Sequence, residues 1–400
     1  MKKIFSSSLS TLIVILSHAQ GPAVTSWILN TTNATGYNNI PSNCQVVQYS
    51  TNNVYVSCTC VPSYSIGPWQ SNPNTPSNQN FVYKITRNPV QNVSTPTTIG
   101  LGHIGVWTNG VSIFNVQDGM SYNNQGIWNR DALYWEGISF DSCLGHAAPN
   151  GEYHNHVNPH CLYNDADSLN HSPIIGYAFD GFPVYGAYAY TNTNGTGPIK
   201  RMRSSYVLST NTTRTNGPVV NSSYPAGCFI EDYNYVGSSG DLDARNGRFC
   251  ITPEYPSGIY AYFVTINDTL YPTFPYTYFG TYYGVVQAGN TGPGGGHNTI
   301  SESTTIYSPS GVNEAESKIK FSFYPNPISD FGYIYFDVAS INNIKASIYN
   351  INGELIESWN DLQPSIAYAL DLRNYAAGIY YLRLTADEET VTQKIVKVGE

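Results

Sequence analysis

The sequence is short of charge: Asp, Glu, Lys and Arg make up 11% of its 400 residues, against roughly 25% in an average soluble domain. Its 18 basic residues are outnumbered by 27 acidic ones, so it lacks the positive surface that a nucleic-acid backbone requires. It also lacks an apolar run close to the ~20 residues of a membrane span. We therefore expect a mature protein that binds no nucleic acid and has no transmembrane segment.

Aromatic residues, by contrast, are plentiful at 14%, and 34 of them are tyrosines. Residues 20–287 contain many short β-type runs bounded by turn-forming residues and almost no 3.6-residue periodicity. Examples of such runs are residues 45–49, 54–58 and 81–85. This pattern predicts an all-β (β-dominated) fold class, and the length of the chain allows two or three domains.

A change of composition divides the chain after residue 287. A Gly- and Pro-rich stretch that begins at Gly292 is followed by Ser, Thr and Glu, which bury too little apolar surface to order themselves. We predict a flexible linker over residues 288–320 and a second, small β domain over residues 321–400.

The first 19 residues have the order of a secretory signal peptide. Lys2 and Lys3 precede the apolar run of residues 12–16, and Ser17-His18-Ala19 offers small residues at both positions that signal peptidase reads. The alternative is a short buried strand or helix at the start of the fold. We predict a signal peptide over residues 1–19, and hence a secreted protein, extracellular or on the outer cell surface.

Export makes disulfide bonds the expected state of the cysteines, which number seven. Local pairing suggests Cys143 with Cys161 and Cys228 with Cys250. Cys44 would then meet Cys58 or Cys60, and at least one cysteine would stay unpaired. The sequence alone does not fix the connectivity.

Six of the eight histidines lie between residues 103 and 171. The centre of this group is His154-x-His156 in a β-type run, where side chains at i and i+2 point to one face and can present two imidazoles to one ion. Imidazole suits copper and zinc as well as nickel and iron. The next candidate ligands are His146 and His160, followed by His103 and His171. Asp141, Glu152 and Asp180 are carboxylates that could bind the ion themselves or accept a hydrogen bond from a ligating histidine.

Two alternatives to a metal site remain open. The histidines could cap loops and donate to backbone carbonyls, or they could carry out metal-free acid–base chemistry. The chain has no Gly-x-Ser-x-Gly elbow, phosphate-binding loop, His-Glu-x-x-His helix or dinucleotide fingerprint. Serine-hydrolase, nucleotide-dependent and zincin functions are therefore disfavoured, and whether the protein is an enzyme is left open.

The segment Tyr153-His154-Asn155-His156 resembles the YHYH motif, with Asn155 in place of the second tyrosine. Residues 171–186 resemble the segment that follows this motif in YHYH-domain proteins, and the similarity continues through residues 240–256. Over residues 95–287 the chain thus resembles a YHYH domain, with residues 20–94 as a β-rich N-terminal extension. The resemblance implies no established activity, and both histidines of the motif are present.

The end of the chain resembles a different family. Tyr324-Pro325-Asn326-Pro327, residues 347–353, residues 377–382 and residues 394–398 together are similar to the C-terminal sorting domain of the type IX secretion system. The resemblance implies a β-sandwich of about seven strands and handling by the type IX machinery, followed by release or surface attachment.

The sequence therefore supports two hypotheses for the main domain. One is a transition-metal site, copper or zinc, centred on His154 and His156. The other is a surface module that recognises glycans or has a structural role, with exposed tyrosines and tryptophans for binding and with structural histidines.

Overall fold

The computed structural model describes residues 20–292, 294–309, 321–324, 326–336, 344–363, 368–386 and 389–398. The predicted signal peptide, residues 1–19, lies outside these ranges. The chain divides into two compact units, of which the first ends at Ser308 and the second begins at Pro309. Among the described residues, no helix has the length and apolar character needed to cross a membrane.

Strands dominate both units, which confirms the predicted all-β class. The helices described in the first unit are α1 (Pro22–Thr25) and α2 (Ala132–Glu136), with 3-10 turns at Tyr37–Asn39, Tyr122–Asn124, Gly137–Ser139 and Ile230–Asp232. Its strands are β1 (Cys44–Tyr49), β2 (Asn53–Cys58), β3 (Phe81–Thr86), β4 (His103–Trp107), β5 (Ser112–Phe114), β6 (Gln117–Ser121), β7 (Asn129–Asp131), β8 (His146–Ala147), β9 (Tyr153–Asn155), β10 (Ile174–Ala178), β11 (Pro183–Tyr185), β12 (Tyr188–Tyr190), β13 (Ile199–Arg201), β14 (Tyr206–Leu208), β15 (Tyr233–Tyr235), β16 (Gly247–Cys250), β17 (Ile259–Phe263) and β18 (Thr305–Ile306).

An eight-stranded sheet forms the centre of the first unit, in the order β16-β17-β11-β10-β4-β5-β9-β8. A four-stranded sheet, β18-β1-β2-β3, contributes to the same hydrophobic core, in which Val56, Tyr83, Trp107 and Tyr177 are fully or almost fully buried. Strands β4 and β10 are buried at every residue, as expected for strands covered on both faces.

The eight-stranded sheet is built from two equivalent halves that meet at the antiparallel pair β4–β10. In one half β4 pairs antiparallel with β5, β5 parallel with β9, and β9 antiparallel with β8. The other half repeats these relations with β10, β11, β17 and β16. The sheet therefore has an approximate two-fold relation between chain segments that share few identical residues.

Each outer hairpin, β8–β9 or β16–β17, is preceded by a tight turn, the corner, that has the same hydrogen bonds in both halves. The Asp141 amide donates to the Gly145 carbonyl at 2.9 Å, and the Asp243 amide donates to the Gly247 carbonyl at 2.8 Å. A tyrosine near the start of the second strand of the hairpin, Tyr153 in β9 or Tyr260 in β17, donates its hydroxyl proton to the carboxylate of that aspartate. The same hydrogen bonds thus occur in both halves of the sheet.

The structure differs from the sequence prediction in the first part of the expected linker. Residues 288–308 belong to the first unit, where Asn290 is fully buried and its side chain bonds both the amide and the carbonyl of Lys84. Further along, β18 pairs with β1. Backbone and side-chain bonds to β1 and β3 thus order a segment whose composition predicts flexibility. The rest of the expected linker, residues 310–320, lies outside the described residues.

The second unit contains β19 (Phe321–Tyr324), β20 (Phe331–Phe336), β21 (Ile344–Asn350), β22 (Leu355–Leu362), β23 (Tyr368–Asp371), β24 (Gly378–Ala386) and β25 (Glu389–Lys397) among its described residues. They form the sheets β19-β20-β23 and β22-β21-β24-β25. Phe323 and Leu370 of one sheet share a core with Ile348 and Leu382 of the other, so the described strands form a small β-sandwich. An Asn-Gly turn joins β21 to β22, with Gly353 at a φ of +79°.

One disulfide is present among the described residues, joining Cys143 to Cys161. The expected bond between Cys228 and Cys250 is absent, and that prediction was wrong. Cys250 ends β16 in the main core, whereas Cys228 follows a turn beside the Arg214 guanidinium. Nearness in sequence did not bring the two thiols together because the chain between them passes through β15 and a long loop.

Candidate metal centre

The histidine cluster is produced by one hairpin and its continuation. His146 on β8 lies directly opposite His154 on β9, because the two strands pair antiparallel in that register. His156 follows β9, which ends at Asn155, and its side chain lies on the same side as that of His154, with the two Nε2 atoms in contact. The ligand atoms of these three buried histidines all lie within 4.8 Å of one another.

The nitrogens that face one another are the Nε2 atoms, together with one carboxylate oxygen. The Nε2 atoms of His154 and His156 are 3.1 Å apart. The Oε2 atom of Glu136 lies 3.2 Å from Nε2 of His156 and 3.4 Å from Nε2 of His146. Three imidazoles and a carboxylate therefore converge on one point.

The opposite nitrogen of each ring, Nδ1, is held by the protein. Nδ1 of His154 donates to the Glu152 carbonyl at 3.0 Å, and Nδ1 of His156 donates to the Asn115 carbonyl at 2.5 Å. Nδ1 of His146 lies 2.8 Å from the Ser139 hydroxyl oxygen. That hydroxyl gives its own proton to the Glu136 carbonyl, so it accepts from the imidazole.

These contacts fix the tautomer of each neutral ring. A carbonyl oxygen can only accept, so each Nδ1 carries the proton and each Nε2 presents a lone pair to the cluster. Two lone pairs 3.1 Å apart, beside a carboxylate oxygen, repel one another unless a cation lies between them. The three histidines could therefore hold a metal ion, and a hydrogen bond at Nδ1 orients each ring.

The charge state of the cluster agrees with this arrangement. Burial lowers the pKa of His146 below its usual value, against the opposing effect of Glu136. Burial, followed by the neighbouring imidazoles, holds the pKa of His154 well below its usual range. Burial raises the pKa of Glu136, but a positive charge beside it, as on a protonated His146 or His156, outweighs burial and lowers that pKa well below normal. His146 and His154 thus resist protonation, and positive charge in the cluster keeps Glu136 ionised.

Glu136 reaches the cluster from the end of helix α2. The side chain of Asp131 caps this short helix by accepting from the Tyr134 amide at 3.0 Å. The 3-10 turn that follows supplies Ser139, so one segment provides both a potential ligand and the acceptor for His146. Sequence reasoning missed this segment because its helical run is only five residues long. The sequence did contain a signal for this helix. Asp131, a residue favoured at helix N-caps, precedes a run without turn formers that ends at Glu136.

A cavity of about 400 Å³ opens onto the cluster and is lined by the three histidines and Glu136. Phe114 also lines it and stacks on the His154 ring at 3.7 Å between centroids. Asp118 lies in the same wall, where burial raises its pKa. The cluster is therefore accessible to a small molecule from one side.

Two of the predicted candidates lie near the cluster but are engaged elsewhere. His160 is next to the disulfide, with Nε2 2.6 Å from the Ser142 carbonyl. The carboxylate of Asp141 accepts from the amides of Gly67, Cys143 and Gly145 and from the Tyr153 hydroxyl. Both residues stabilise the corner that precedes the hairpin, and neither joins the cluster.

The remaining candidates have other partners. Nδ1 of His103 lies 2.9 Å from the Glu152 carboxylate, which also accepts from Ser112, so Glu152 acts on the cluster through its backbone carbonyl alone. Nδ1 of His171 donates to the Ser172 carbonyl. Asp180 is fully buried and accepts from the Tyr262 hydroxyl and from two backbone amides. The structure thus brings together His146, His154 and His156 and leaves the other candidates apart.

The equivalent place in the other half of the sheet has none of these ligands. Pairing of β16 with β17 puts Arg248 opposite Ala261, the positions that correspond to His146 and His154, and Phe263 corresponds to His156. The shared fold is therefore formed without imidazoles, and the histidines are not required by the hairpin.

Fold and site together define a β-rich protein of two units with a buried three-histidine cluster in the larger one. Comparison with known families is more specific. Residues 82–278 match the family model described as YHYH protein, and residues 322–398 match the model described as secretion system C-terminal sorting domain. The chain is thus a YHYH-domain protein with a C-terminal type IX sorting domain, which confirms both resemblances. The sorting domain assigns the protein to secretion, to the cell surface or the extracellular space.

Similarity to solved structures is slight. Dimeric latent PorU from Porphyromonas gingivalis matches at 20% identity with a TM-score of 0.18, over 20% of this chain and 9% of the PorU chain. No curated protein matches the chain.

Proposed function

We propose that the protein binds one transition-metal ion outside the cell, through Nε2 of His146, His154 and His156 and through Oε2 of Glu136. Copper and zinc both suit a donor set of three neutral imidazoles and one carboxylate. A divalent ion would also balance the carboxylate charge in a site with little other charge. The observation that carries the proposal is the 3.1 Å approach of two Nε2 atoms whose rings both donate through Nδ1 to carbonyl oxygens.

The cavity favours an ion that remains accessible. The four donors lie at the wall of a space of about 400 Å³, so a small ligand could reach the ion from that side. An ion with such an exposed position can polarise a bound molecule or lower the pKa of a bound water. The residues present therefore support a metal-binding protein that has room for a substrate, and they do not specify a reaction.

Metal analysis of the full-length secreted protein tests this proposal. Wild type should bind one equivalent of zinc or copper, and the double variant His154→Ala/His156→Ala should bind none while its circular dichroism spectrum is unchanged. His160→Ala is the matched control, because this histidine contacts the Ser142 carbonyl and lies outside the cluster. Wild type that takes up neither ion at micromolar concentrations, or a double variant that binds as well as wild type, would contradict the proposal.

Glycan recognition is a second candidate function, and a separate cavity favours it. A space of about 540 Å³ is lined by aromatic rings together with Arg201 and Asn267, a combination that suits the apolar faces and hydroxyls of sugars. Tyr134 and Tyr271 in its wall are about half exposed, at 49% and 57%. Binding of oligosaccharides that is lost in Tyr271→Ala but kept in His154→Ala/His156→Ala would assign this activity to the aromatic cavity.

A further inference from the structure

Two buried cysteines that are not part of the histidine cluster face each other on the four-stranded sheet of the first unit. Cys44 begins β1 and Cys58 ends β2, and the two residues are direct partners in the antiparallel pair. We propose that Cys44 and Cys58 are an oxidation site of the exported protein, where a second disulfide forms in addition to the bond between Cys143 and Cys161.

The backbone places these two cysteines in the favourable kind of cross-strand pair. The Cys44 amide donates to the Ile28 carbonyl at 3.1 Å, and the Cys44 carbonyl accepts from the Asn30 amide at 2.8 Å. Both backbone groups of Cys44 therefore point away from β2, so its pair with Cys58 has no ladder hydrogen bonds. Side chains are closest at such positions, where Cα atoms are typically about 4.5 Å apart, within the range that a disulfide spans.

Both sulfurs point toward the same turn. Sγ of Cys44 lies 3.4 Å from the Thr108 carbonyl, and Sγ of Cys58 lies 3.2 Å from the Gly110 carbonyl. Gly110 has a φ of +82°, and a Cβ built on it would lie 3.1 Å from the Cys58 sulfur and 3.5 Å from the Cys44 sulfur. The two sulfurs therefore border one small volume, which a glycine leaves open.

Cys60 is two residues from Cys58 but is directed elsewhere. Its sulfur lies 3.3 Å from the Ser112 hydroxyl and donates to the Tyr153 carbonyl at 3.0 Å. The backbone of Cys60 has a φ of +67°, so the chain turns away after β2. The geometry thus selects Cys58 over Cys60 as the partner of Cys44, a choice that the sequence left open.

Oxidation of the pair follows ordinary thiol–disulfide exchange. One cysteine thiolate attacks the disulfide of an oxidised thiol carrier in the exporting compartment, and a carrier thiolate leaves. The second cysteine then attacks the mixed disulfide and releases the reduced carrier. Two S–H bonds are lost, one S–S bond forms between Cys44 and Cys58, and the carrier takes up two electrons and two protons.

Burial determines when this reaction takes place. The exposed fraction is 0% for Cys44 and 2% for Cys58, so no carrier reaches either sulfur in the folded unit. Burial also raises the pKa of Cys44 far above its usual value, and burial, with the neighbouring Cys44 second, does the same for Cys58. Thiolates are thus scarce in the folded state, and we expect the bond to form before β1 and β2 are covered.

Peptide mapping of the full-length chain, exported to an oxidising periplasm, tests the proposal. The protein is unfolded in guanidinium chloride near neutral pH with an alkylating agent present, so that free thiols are blocked as they become exposed, and it is then acidified and digested with pepsin without reduction. We expect a disulfide-linked peptide pair that contains Cys44 and Cys58, with Cys60, Cys228 and Cys250 alkylated. Alkylation of both Cys44 and Cys58, or a link from Cys44 to Cys60, would overturn the proposal.

Single variants locate the bond independently. Cys58→Ser should leave Cys44 open to alkylation after unfolding, whereas the matched control Cys60→Ser should leave it protected. If Cys58→Ser does not fold, the mapping of wild type and of Cys60→Ser still decides the point. Wild type folded in reducing buffer and then exposed to oxidised glutathione should retain Cys44 and Cys58 as alkylatable thiols, in contrast to the exported protein. Equal numbers of alkylatable thiols in the two preparations would contradict oxidation before folding.

Discussion

The orientation of single imidazole rings carries the functional conclusion about this protein. In each of the three clustered histidines, Nδ1 is engaged by an acceptor from a different part of the chain. Fixing Nδ1 determines which nitrogen is left for an ion, and partners of this kind raise the basicity of the ligand. The acceptor of His146 is the side chain of Ser139, so a substitution can remove it.

Replacing Ser139 by Ala should weaken metal binding without removing a ligand. The imidazole of His146 loses the acceptor 2.8 Å from its Nδ1, so we expect the affinity for the ion to fall about 10–100-fold. Competition with a coloured chelator measures this change. Ser222→Ala, at an exposed serine, is the control and should bind as wild type does. Unchanged affinity in Ser139→Ala would show that this hydrogen bond does not position His146.

Asp180 shows how a candidate ligand can be structural. It is fully buried, and burial raises its pKa to about 6 although Tyr262 and two amides oppose the shift. A pKa higher in the folded than in the unfolded state contributes stability that is complete below the unfolded value of 3.8 and is lost as the pH rises through about 6.

We therefore expect the free energy of unfolding of wild type to decrease between about pH 4 and pH 7 relative to Asp180→Asn, by about 3 kcal/mol in total. Urea unfolding at four pH values measures the difference. The metal content of the Asn variant should equal that of wild type because Asp180 is outside the cluster. A constant difference between the two proteins across this pH range would show that Asp180 does not titrate as inferred.

At the scale of elements, the two outer hairpins share a backbone but differ in function. Each hairpin has a glycine at the corner before it, Gly145 or Gly247. The hydroxyl of Tyr153 or Tyr260 fills the space that a Cβ on that glycine would occupy. A Cβ at Gly145 would lie 2.4 Å from the Tyr153 hydroxyl, and one at Gly247 would lie 2.4 Å from the Tyr260 hydroxyl.

Substitution of these glycines should separate fold from function. Gly145→Ala and Gly247→Ala should each lower the free energy of unfolding by about 1–3 kcal/mol, because the tyrosine must shift. Only Gly145→Ala should also reduce metal affinity, since Tyr153 directly precedes His154. Gly100→Ala, where a Cβ would meet nothing within 4 Å, is the control. Equal losses of metal affinity in both hairpin variants would argue against a separate role for the first hairpin.

Short elements were also where the sequence was least informative. The alternation around His154 and His156 predicted a strand with both side chains on one face. Strand β9 carries His154 and ends at Asn155, and His156 follows it with its Nε2 3.1 Å from that of His154. Helix α2 was not predicted, and with it Glu136 was missed. A helix of five residues has too few periodic positions to stand out, and it is held in place by long-range contacts such as the Tyr276 hydroxyl on the Asp131 carboxylate.

At the scale of the whole molecule, we propose that the two compact units are separable in folding and in role. The first contains the histidine cluster, and the second matches the sorting domain and has its own core. No residue of the cluster or of its acceptors comes from the second unit.

A chain that ends at Ser308 should therefore fold and bind the same equivalent of metal as the full-length protein. In a bacterium with the type IX system, this truncated chain should stay inside the outer membrane, whereas the full-length chain is secreted. Cell fractionation with metal analysis measures both outcomes. Secretion of the truncated chain at the wild-type level would show that the second unit is not the sorting signal.

The sequence by itself determined the features that depend on local order along the chain. The β-dominated class follows from short alternating runs, the two families from motifs of neighbouring residues, and the shared face of His154 and His156 from the period of an extended strand. Side chains two or three residues apart have a geometry that the backbone conformation fixes, so reading the sequence was sufficient for them.

Only the tertiary structure decided which distant groups complete the site. Glu136 comes from 18 or more residues before the histidine pair, and the acceptor of His156 is the Asn115 carbonyl, 41 residues away. Whether Cys44 faces Cys58 or Cys60 likewise depends on how β1, β2 and the turn at Gly110 pack together. Contacts over such separations are set by strand pairing and burial of the entire unit, which no short segment encodes.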